Sequence, residues 1–557
     1  MHSSRAPATS MRRSTEMALL MLLLGGYLAI SLRHLTSIPP VNGDEPWVAS
    51  TGLKLAREGV FGSDLFAGFH GTERHYYVFM PGYPLLLAAT YKVAGFGLLQ
   101  TRLASVCLGM LVLILTYALG RRLYGPAVGL WAAALLLVVR LNGVTPYQTT
   151  GILLMDMARV ARFDLPVPVF GLLSLHAGLS ARRRASAGFW ALAGLAAAVA
   201  GLSHVYGFAW IIVPMILLMA PLRDERSKDR GRFRMLIPLL GGFALPCLIY
   251  VVYVLTSFQD WVDQTRQYAP RFGLLRPSFY LENLLTEYKR YGPGLGPPGW
   301  NYLLRPGFWC YVLFLPASLL YLARETIRKR DESAAILLVG CLVFPVLFAL
   351  VITSKVATYS IAFLPLFALA VSAAAVALWT WAKRQKQVPI LVMLTAAAVL
   401  VSAEGFGRYV TLEKSAVGAM DYDAFTARLR VNVPPAARIL ALHNYWFGFQ
   451  DQPYITWYVP LMLMDDRSGS PALTAQEALG AINPDVIIID DHLRSYFATA
   501  QANDERPSRV LRWMANRGYS LKAVMIDPTY GRFEFYEVPP EGRSQPQSTG
   551  YNRLAKN

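Results

Sequence analysis

The sequence predicts a polytopic α-helical membrane protein with a small α/β domain at its C-terminal end. Of the 557 residues, 54% are hydrophobic and only 16% are charged, whereas soluble globular chains carry about 25% charged residues. Most apolar residues lie in runs that approach the roughly twenty residues of a membrane-spanning helix. After Glu404 the composition changes, and short apolar segments alternate with amphipathic ones.

The apolar runs predict about eleven membrane spans. They lie at 17–33, 98–119, 127–144, 164–180, 187–203, 205–221, 235–256, 307–323, 334–353, 360–381 and 388–403. The first run follows Arg12 and Arg13 but lacks a clean cleavage site of small residues, and further spans follow it. It is therefore expected to remain as an uncleaved anchor.

The charges of the connecting loops predict the orientation of the chain. Basic residues are concentrated in every second connection, at 121–122, 182–184, 223–234, 324–330 and 383–386. Because cytoplasmic loops are enriched in Lys and Arg, the N-terminus is predicted to lie inside and the C-terminus outside. The net charge of +18 then reflects loops that meet lipid headgroups, and nucleic acid is not expected as a partner.

The region after Glu404 is predicted to be an extracytoplasmic α/β domain. Strands are expected at 437–442 and 485–490, helices at 474–482 and 510–517, and a closing hairpin at 521–526 and 532–538. No glycine-rich phosphate loop accompanies the strand at 485–490, so it is interpreted as sheet core rather than as a nucleotide-sugar site. The expected domains are a transmembrane domain at 1–403 with a long first outer loop at 34–97, the α/β domain at 404–545 and a disordered tail at 546–557.

The first outer loop contains an acidic pair, Asp44 and Glu45, directly before Pro46. In one interpretation, Asp44 caps a short helix whose first turn contains Pro46. In the other, a carboxylate at the membrane surface takes a proton from an acceptor hydroxyl. These residues by themselves favour the cap.

Other ionisable residues lie at the outer ends of later spans. Arg162 and Asp164 form a costly pair at membrane depth, which makes them a candidate site, although a salt bridge between two helices explains them equally well. Asp156, slightly earlier, is expected to be solvated. A hydrogen bond between helices is the simpler account of His204, and snorkelling toward the headgroups is the alternative account of Lys355.

These candidates converge on one side of the membrane. The topology rests on other residues, yet all of the candidates emerge on the predicted outer face, namely Asp44, Arg162, Asp164, His204 and Lys355. Acids and cations gathered at one membrane surface suit a reaction on a lipid-phosphate-linked substrate.

This arrangement resembles the GT-C membrane glycosyltransferases, in the branch of the protein O-mannosyltransferases and the lipid A aminoarabinose transferase. The resemblance covers roughly residues 15–405 and depends on the order and sidedness of short stretches. These are NGDEPWV at 42–48, MPGYPL at 80–85, TRLAS at 101–105, GRRLYG at 120–125, ARFD at 161–164, and SKVATY at 354–359 with Pro365.

The resemblance implies an inverting transfer of a sugar from a polyprenyl-phosphate donor to a hydroxyl of a cell-envelope acceptor, whether lipid, glycan or protein. It implies a bacterial inner-membrane protein that acts at the outer face. On the matching positions, Asp44 would be the general base, with Glu45 as the alternative. Asp164 would orient the acceptor or a metal, and Lys355 and Arg162 would neutralise the departing lipid phosphate.

One departure concerns the first loop, where the branch often carries a Lys-Pro-Pro stretch. Here the chain has Arg74 and His75, followed by Pro81 and Gly82, so either Arg74 or His75 supplies the cation or the donor differs.

His204 and Tyr359 complete the expected phosphate-binding group. No cofactor is predicted with certainty, and a divalent cation is left open because two isolated acids do not define a metal site. The alternatives are a transporter or flippase, which is expected to show repeated halves that this sequence lacks, and a non-catalytic scaffold, which would not need the acids.

Overall fold

The computed structural model describes residues 11–141, 149–219, 229–291, 305–465, 472–499 and 504–538. The predicted tail at 546–557 and the predicted basic loop around Arg223 lie outside these residues. The chain divides into two compact units. The first comprises Met1–Arg33, Ser105–Val251 and Arg271–Lys414, and the second comprises His34–Ala104, Val252–Pro270 and Ser415–Asn557. The first outer loop and the C-terminal segment therefore belong to the same unit.

Long apolar helices dominate the part of the chain that was predicted to span the membrane. Among the described residues, seven helices are long and apolar enough to cross a bilayer. They are Arg13–Leu32, Leu98–Leu123, Phe233–Leu255, Pro306–Lys329, Glu332–Val351, Leu364–Arg384 and Val388–Ala416. Shorter apolar helices lie at Pro126–Val138, Ala187–Ser203 and Val205–Met219. A further helix lies at Pro166–Arg184. The count of about eleven spans stays a prediction.

The sequence explains where these helices begin and end. Proline occupies the first helical position in Pro126–Val138 and Pro166–Arg184, where its missing N–H costs no hydrogen bond. Cations fill the last turn of Pro166–Arg184 and Leu364–Arg384, where they stabilise the helix dipole. Along Phe233–Leu255, Ile237 and Leu245 are among the large apolar side chains left exposed, as expected for a surface that faces lipid.

Shorter helices connect the long ones in the first unit. They are Leu153–Ala158, Pro277–Thr286 and Tyr288–Tyr291, with a 3₁₀ helix at Ala357–Ala362. The predicted domain boundary near residue 404 falls inside the continuous helix Val388–Ala416, and the division at 404 stays a prediction.

The second unit contains a five-stranded sheet in the order β2-β1-β3-β5-β4. Its strands are β1 (Ile439–Ala441), β2 (Tyr454–Thr456), β3 (Val486–Asp490), β4 (Ser520–Asp527) and β5 (Gly531–Glu537). β1 pairs in parallel with β2 and β3, whereas β5 is antiparallel to β3 and β4. Every residue of β3 is buried, so the predicted sheet core is confirmed, together with the closing hairpin.

Helices surround this sheet and also form the first outer loop. They are Asp44–Glu58, Gly82–Ala94, Phe258–Thr265, Tyr422–Arg430, Tyr458–Leu463, Ala475–Ile482, Asp491–Thr499 and Arg506–Asn516. A capping box between Thr474 and Glu477 begins the helix Ala475–Ile482, which accounts for its accurate prediction from the sequence. The aromatic residues Tyr445, Trp446 and Phe447 are buried and fill the core of the unit.

Candidate active site

The helix Asp44–Glu58 places Asp44 at its first position. Asn42 organises this end: its side-chain Oδ1 accepts a hydrogen bond from the Asp44 N–H at 3.1 Å. The backbone N–H of Asn42 donates to Glu45 Oε2 at 2.8 Å. Gly43 occupies the N-cap position and Asp44 is the first helical residue, so Asp44 is not the cap that the sequence suggested, and Asn42 forms a local turn that leads into the helix.

Glu45 forms a fully buried ion pair with Arg102, and neither side chain is exposed. Arg102 Nε donates to Glu45 Oε1 at 2.9 Å, and Nη2 donates to Oε2 at 2.8 Å. The same guanidinium donates from Nη1 to the carbonyl oxygens of Leu35 and Pro39. Both carboxylate oxygens of Glu45 are therefore engaged in holding the loop, which gives Glu45 a structural role.

Residues of the C-terminal segment contact the loop immediately before Asp44. Asn444 Nδ2 donates to the Val41 carbonyl oxygen at 2.7 Å. A Cβ atom on Gly43 would lie 2.7 Å from His443 Nε2, so a side chain at this position would displace the imidazole. Burial, together with nearby His492, lowers the pKa of His443 to about 4, and the imidazole beside Gly43 is therefore neutral at pH 7.

Arg74 and His75 of the same loop face an acidic partner on the helix Phe258–Thr265. Asp260 Oδ2 lies 3.3 Å from His75 Nδ1 and 3.7 Å from Arg74 Nη2. His75 Nε2 also lies 3.3 Å from Ser257 Oγ. Arg74 and His75, which the sequence assigned to a phosphate, thus have a carboxylate partner within their own unit, and their assignment to a phosphate stays a prediction.

In the first unit, Asp164 lies between Arg162 and His204. Arg162 Nη2 is 2.8 Å from Asp164 Oδ2, and Nε donates to the same oxygen at 3.0 Å. The Tyr206 N–H donates to His204 Nδ1 at 3.2 Å, so a neutral His204 carries its proton on Nε2. His204 Nε2 lies 3.6 Å from Asp164 Oδ1. The predicted Arg162–Asp164 pair therefore has His204 as a third member, whose ring is oriented toward the Asp164 carboxylate.

Aromatic rings connect the cluster of Asp164, Arg162 and His204 to a second group of charged side chains. Tyr359 lies beside His204 and Tyr206, with ring centroids 5.4 and 4.9 Å away. The ring centroids of Tyr206 and Phe348 are 5.6 Å apart. The Arg290 guanidinium lies over the Phe348 ring, 5.3 Å from its centroid. A chain of ring contacts therefore connects the surroundings of Asp164 with Arg290 within the first unit.

The second group consists of Lys355, Glu287 and Arg290. Lys355 Nζ lies 2.8 Å from Glu287 Oε2, and Arg290 Nε donates to Glu287 Oε1 at 2.6 Å. The Lys355 side chain is 5% exposed, so it does not extend into solvent as a snorkelling lysine would. Burial lowers the pKa of the Lys355 amine, whereas the Glu287 carboxylate raises it.

The structure thus brings several predicted residues together and assigns others elsewhere. Arg162, Asp164, His204 and Tyr359 form one cluster of the first unit, and Lys355 belongs to the neighbouring charge group. The prediction that Asp156 is solvated is wrong. Its carboxylate is 1% exposed and accepts hydrogen bonds from the backbone N–H groups of two residues in the preceding turn. Among the described residues, no three His, Cys, Asp or Glu side chains group together so as to hold a metal.

Of the known protein families, curated proteins and solved structures, only the solved structures show a similarity to this chain. No protein-family model matches the chain, and no curated protein matches it. The structure of ArnT from Cupriavidus metallidurans bound to undecaprenyl phosphate is 16% identical, with a TM-score of 0.52 over 95% of this chain and 100% of that chain. Its apo state is 15% identical, with a TM-score of 0.55 over the same shares.

An archaeal protein gives the same result. The oligosaccharyltransferase AglB from Archaeoglobus fulgidus, in complex with an inhibitory peptide and a dolichol-phosphate, is 12% identical, with a TM-score of 0.55 over 96% of this chain and 75% of that chain. ArnT and AglB are GT-C glycosyltransferases. This chain has the GT-C fold. The resemblance expected from the short sequence stretches is confirmed at the level of the fold.

Sequence reasoning missed four residues that organise these sites on the GT-C fold. Arg102 left a signal, because an arginine inside the apolar run 98–119 needs a buried partner. Arg290 lies beside Lys289, in no local motif that marks a site, and Glu287 lies just before them. The sequence gives no signal for His443, since nothing in its sequence neighbourhood connects it to the first loop.

Proposed function

We propose that the protein is a glycosyltransferase that transfers a sugar from a polyprenyl-phosphate donor to a hydroxyl group of a cell-envelope acceptor. The observation that carries the proposal is the cluster of buried cations and acids in the first unit, formed by Lys355, Arg290, Glu287, Arg162 and Asp164, on a GT-C fold. The related ArnT structure contains undecaprenyl phosphate, and the AglB structure contains a dolichol-phosphate. A lipid phosphate is therefore the ligand class that we assign to these cations.

In the proposed reaction, Asp44 takes the proton of the acceptor hydroxyl as its oxygen attacks the anomeric carbon. The bond between that carbon and the phosphate oxygen breaks on the opposite face, so the configuration inverts and polyprenyl phosphate leaves with the bonding electrons. Lys355 neutralises the charge that develops on the phosphate. Asp164, fixed by Arg162 and His204, orients the acceptor or the sugar hydroxyls.

We propose that the reaction takes place at the outer face of a bacterial inner membrane. The basic connections predict an inner N-terminus and an outer C-terminus, and a polyprenyl-linked donor is confined to the bilayer. The acceptor is a lipid, a glycan or a protein of the envelope. Mass analysis of the cell envelope with and without this protein would identify the modified component.

The decisive experiment is Asp44→Asn in the purified, membrane-reconstituted protein with a polyprenyl-phosphate sugar. Loss of a general base predicts a decrease in transfer by about a hundredfold or more, with the fold intact. Asp64→Asn is the matched control, because Asp64 lies in the same loop and its side chain is 64% exposed. Activity of Asp44→Asn close to that of the wild type would refute the assignment of Asp44.

A further inference from the structure

Glu287 lies between two buried cations in the manner of a bound anion. Its Oε1 accepts from Arg290 Nε at 2.6 Å, and its Oε2 lies 2.8 Å from Lys355 Nζ. The same Oε2 accepts from Arg290 Nη2 at 3.3 Å. The side chains of Arg290, Lys355 and Glu287 are 0%, 5% and 12% exposed. One carboxylate therefore bridges two cations away from water.

The charges of this group do not balance by themselves. One carboxylate beside two cations leaves a surplus positive charge in a buried place, where an anion is strongly favoured. Burial lowers the pKa of the Lys355 amine and the neighbouring Arg290 lowers it further, while Glu287 raises it. Glu287 therefore supplies the negative charge beside Lys355 and Arg290 when the site holds no substrate.

The proposed reaction increases the charge of the phosphate. The donor is a phosphodiester with one negative charge, whereas polyprenyl phosphate is a monoester that carries up to two. Cations that stabilise the departing phosphate therefore bind the product more tightly than the donor, and tight product binding slows turnover.

We propose that Glu287 is an internal stand-in for the lipid phosphate. It occupies Lys355 and Arg290 while the site is empty, leaves them when the donor arrives, and competes with polyprenyl phosphate for them after transfer. Glu287 directly follows the helix Pro277–Thr286, so its side chain can turn away without movement of the helix. This inference rests on the proposed function, because it requires that Lys355 contacts a phosphate.

The test is Glu287→Gln in the reconstituted full-length protein, with Glu282→Gln as the matched control at an exposed position of the helix that precedes Glu287. Binding of polyprenyl phosphate is measured directly, and kcat and KM are measured with a polyprenyl-phosphate sugar. Removal of the competing carboxylate is expected to tighten binding of polyprenyl phosphate by about tenfold. KM for the donor and kcat should both decrease, because product release becomes slower, while Glu282→Gln behaves as the wild type.

A purely structural role for Glu287 gives the opposite pattern, with unchanged or weaker binding of polyprenyl phosphate and a higher KM, and that result overturns the inference. If Glu287→Gln does not fold, Glu287→Asp replaces it, because the shorter side chain cannot reach both cations. Tighter binding in Glu287→Asp supports the inference, and weaker binding overturns it. Failure of the wild-type protein to bind polyprenyl phosphate would instead overturn the proposed function itself.

Discussion

The pair formed by Glu45 and Arg102 offers a sharp test of the structure around the proposed base. Arg102→Met leaves a buried carboxylate without its partner and leaves the carbonyl oxygens of Leu35 and Pro39 without a donor. Breaking a buried ion pair by removal of one partner costs about 3–5 kcal/mol. Glu45→Gln leaves the guanidinium with a neutral partner, but that guanidinium keeps its carbonyl contacts, so the cost is expected at the lower end of that range.

The double variant Glu45→Gln/Arg102→Met separates this interaction from other effects. Since both single changes break the same contact, the double variant should be more stable than the sum of the single costs predicts, by up to about 3 kcal/mol. Free energies of unfolding are measured in mixed micelles by detergent titration with tryptophan fluorescence. Additive costs would refute the pairing. Loss of transfer in Glu45→Gln at unchanged stability would show that Glu45 acts in the chemistry.

Three further outcomes are expected. Lys355→Ala should raise KM for the donor by about tenfold or more, and Lys355→Arg by less, because arginine keeps the charge but changes its geometry; equal activity of the two variants would contradict a phosphate contact. Gly43→Ala should decrease transfer because its Cβ would lie 2.7 Å from His443 Nε2, and His443→Ala should restore part of the loss in the double variant; a fully active Gly43→Ala would contradict the close approach. Burial raises the pKa of Asp156 from its ordinary value of 3.8 to about 6, so the folded state binds the proton more tightly than the unfolded state. The contribution of Asp156 to stability is therefore fully present below about pH 4 and is lost, by about 3 kcal/mol, as the pH rises through 6. Asp156→Asn should remove this part of the pH dependence, and an unchanged pH profile of unfolding would show that another group causes it.

The elements that could be predicted from the sequence are those that depend on local patterns. Runs of apolar residues mark helices wherever the length suits a bilayer, and alternation marked β4 and β5 as a hairpin. The short strand β2 (Tyr454–Thr456) was missed, because three residues are too few to show the alternation that marks a strand.

Charged side chains were harder to interpret, since their partners lie far away along the chain. Glu45 and Arg102 are separated by 57 positions, and no local pattern indicates that they meet. Glu45 therefore resembled a second catalytic acid in the sequence, whereas the structure shows its carboxylate buried against Arg102. Asp156 was expected in solvent because the sequence does not show that its own turn encloses it.

The sharing of one unit by the first outer loop and the C-terminal segment has a consequence for biosynthesis. The helix of Asp44 is among the first parts of the chain to be translated, yet Asn444, which contacts the Val41 carbonyl, follows 403 positions later. Thr36 likewise donates a hydrogen bond to Asp421, which lies 385 positions later in the chain. Such distant contacts form only after the intervening helices are made. A ribosome that stops early therefore releases a chain whose proposed base lacks these supports, so the proposed activity requires that the C-terminal segment has been made.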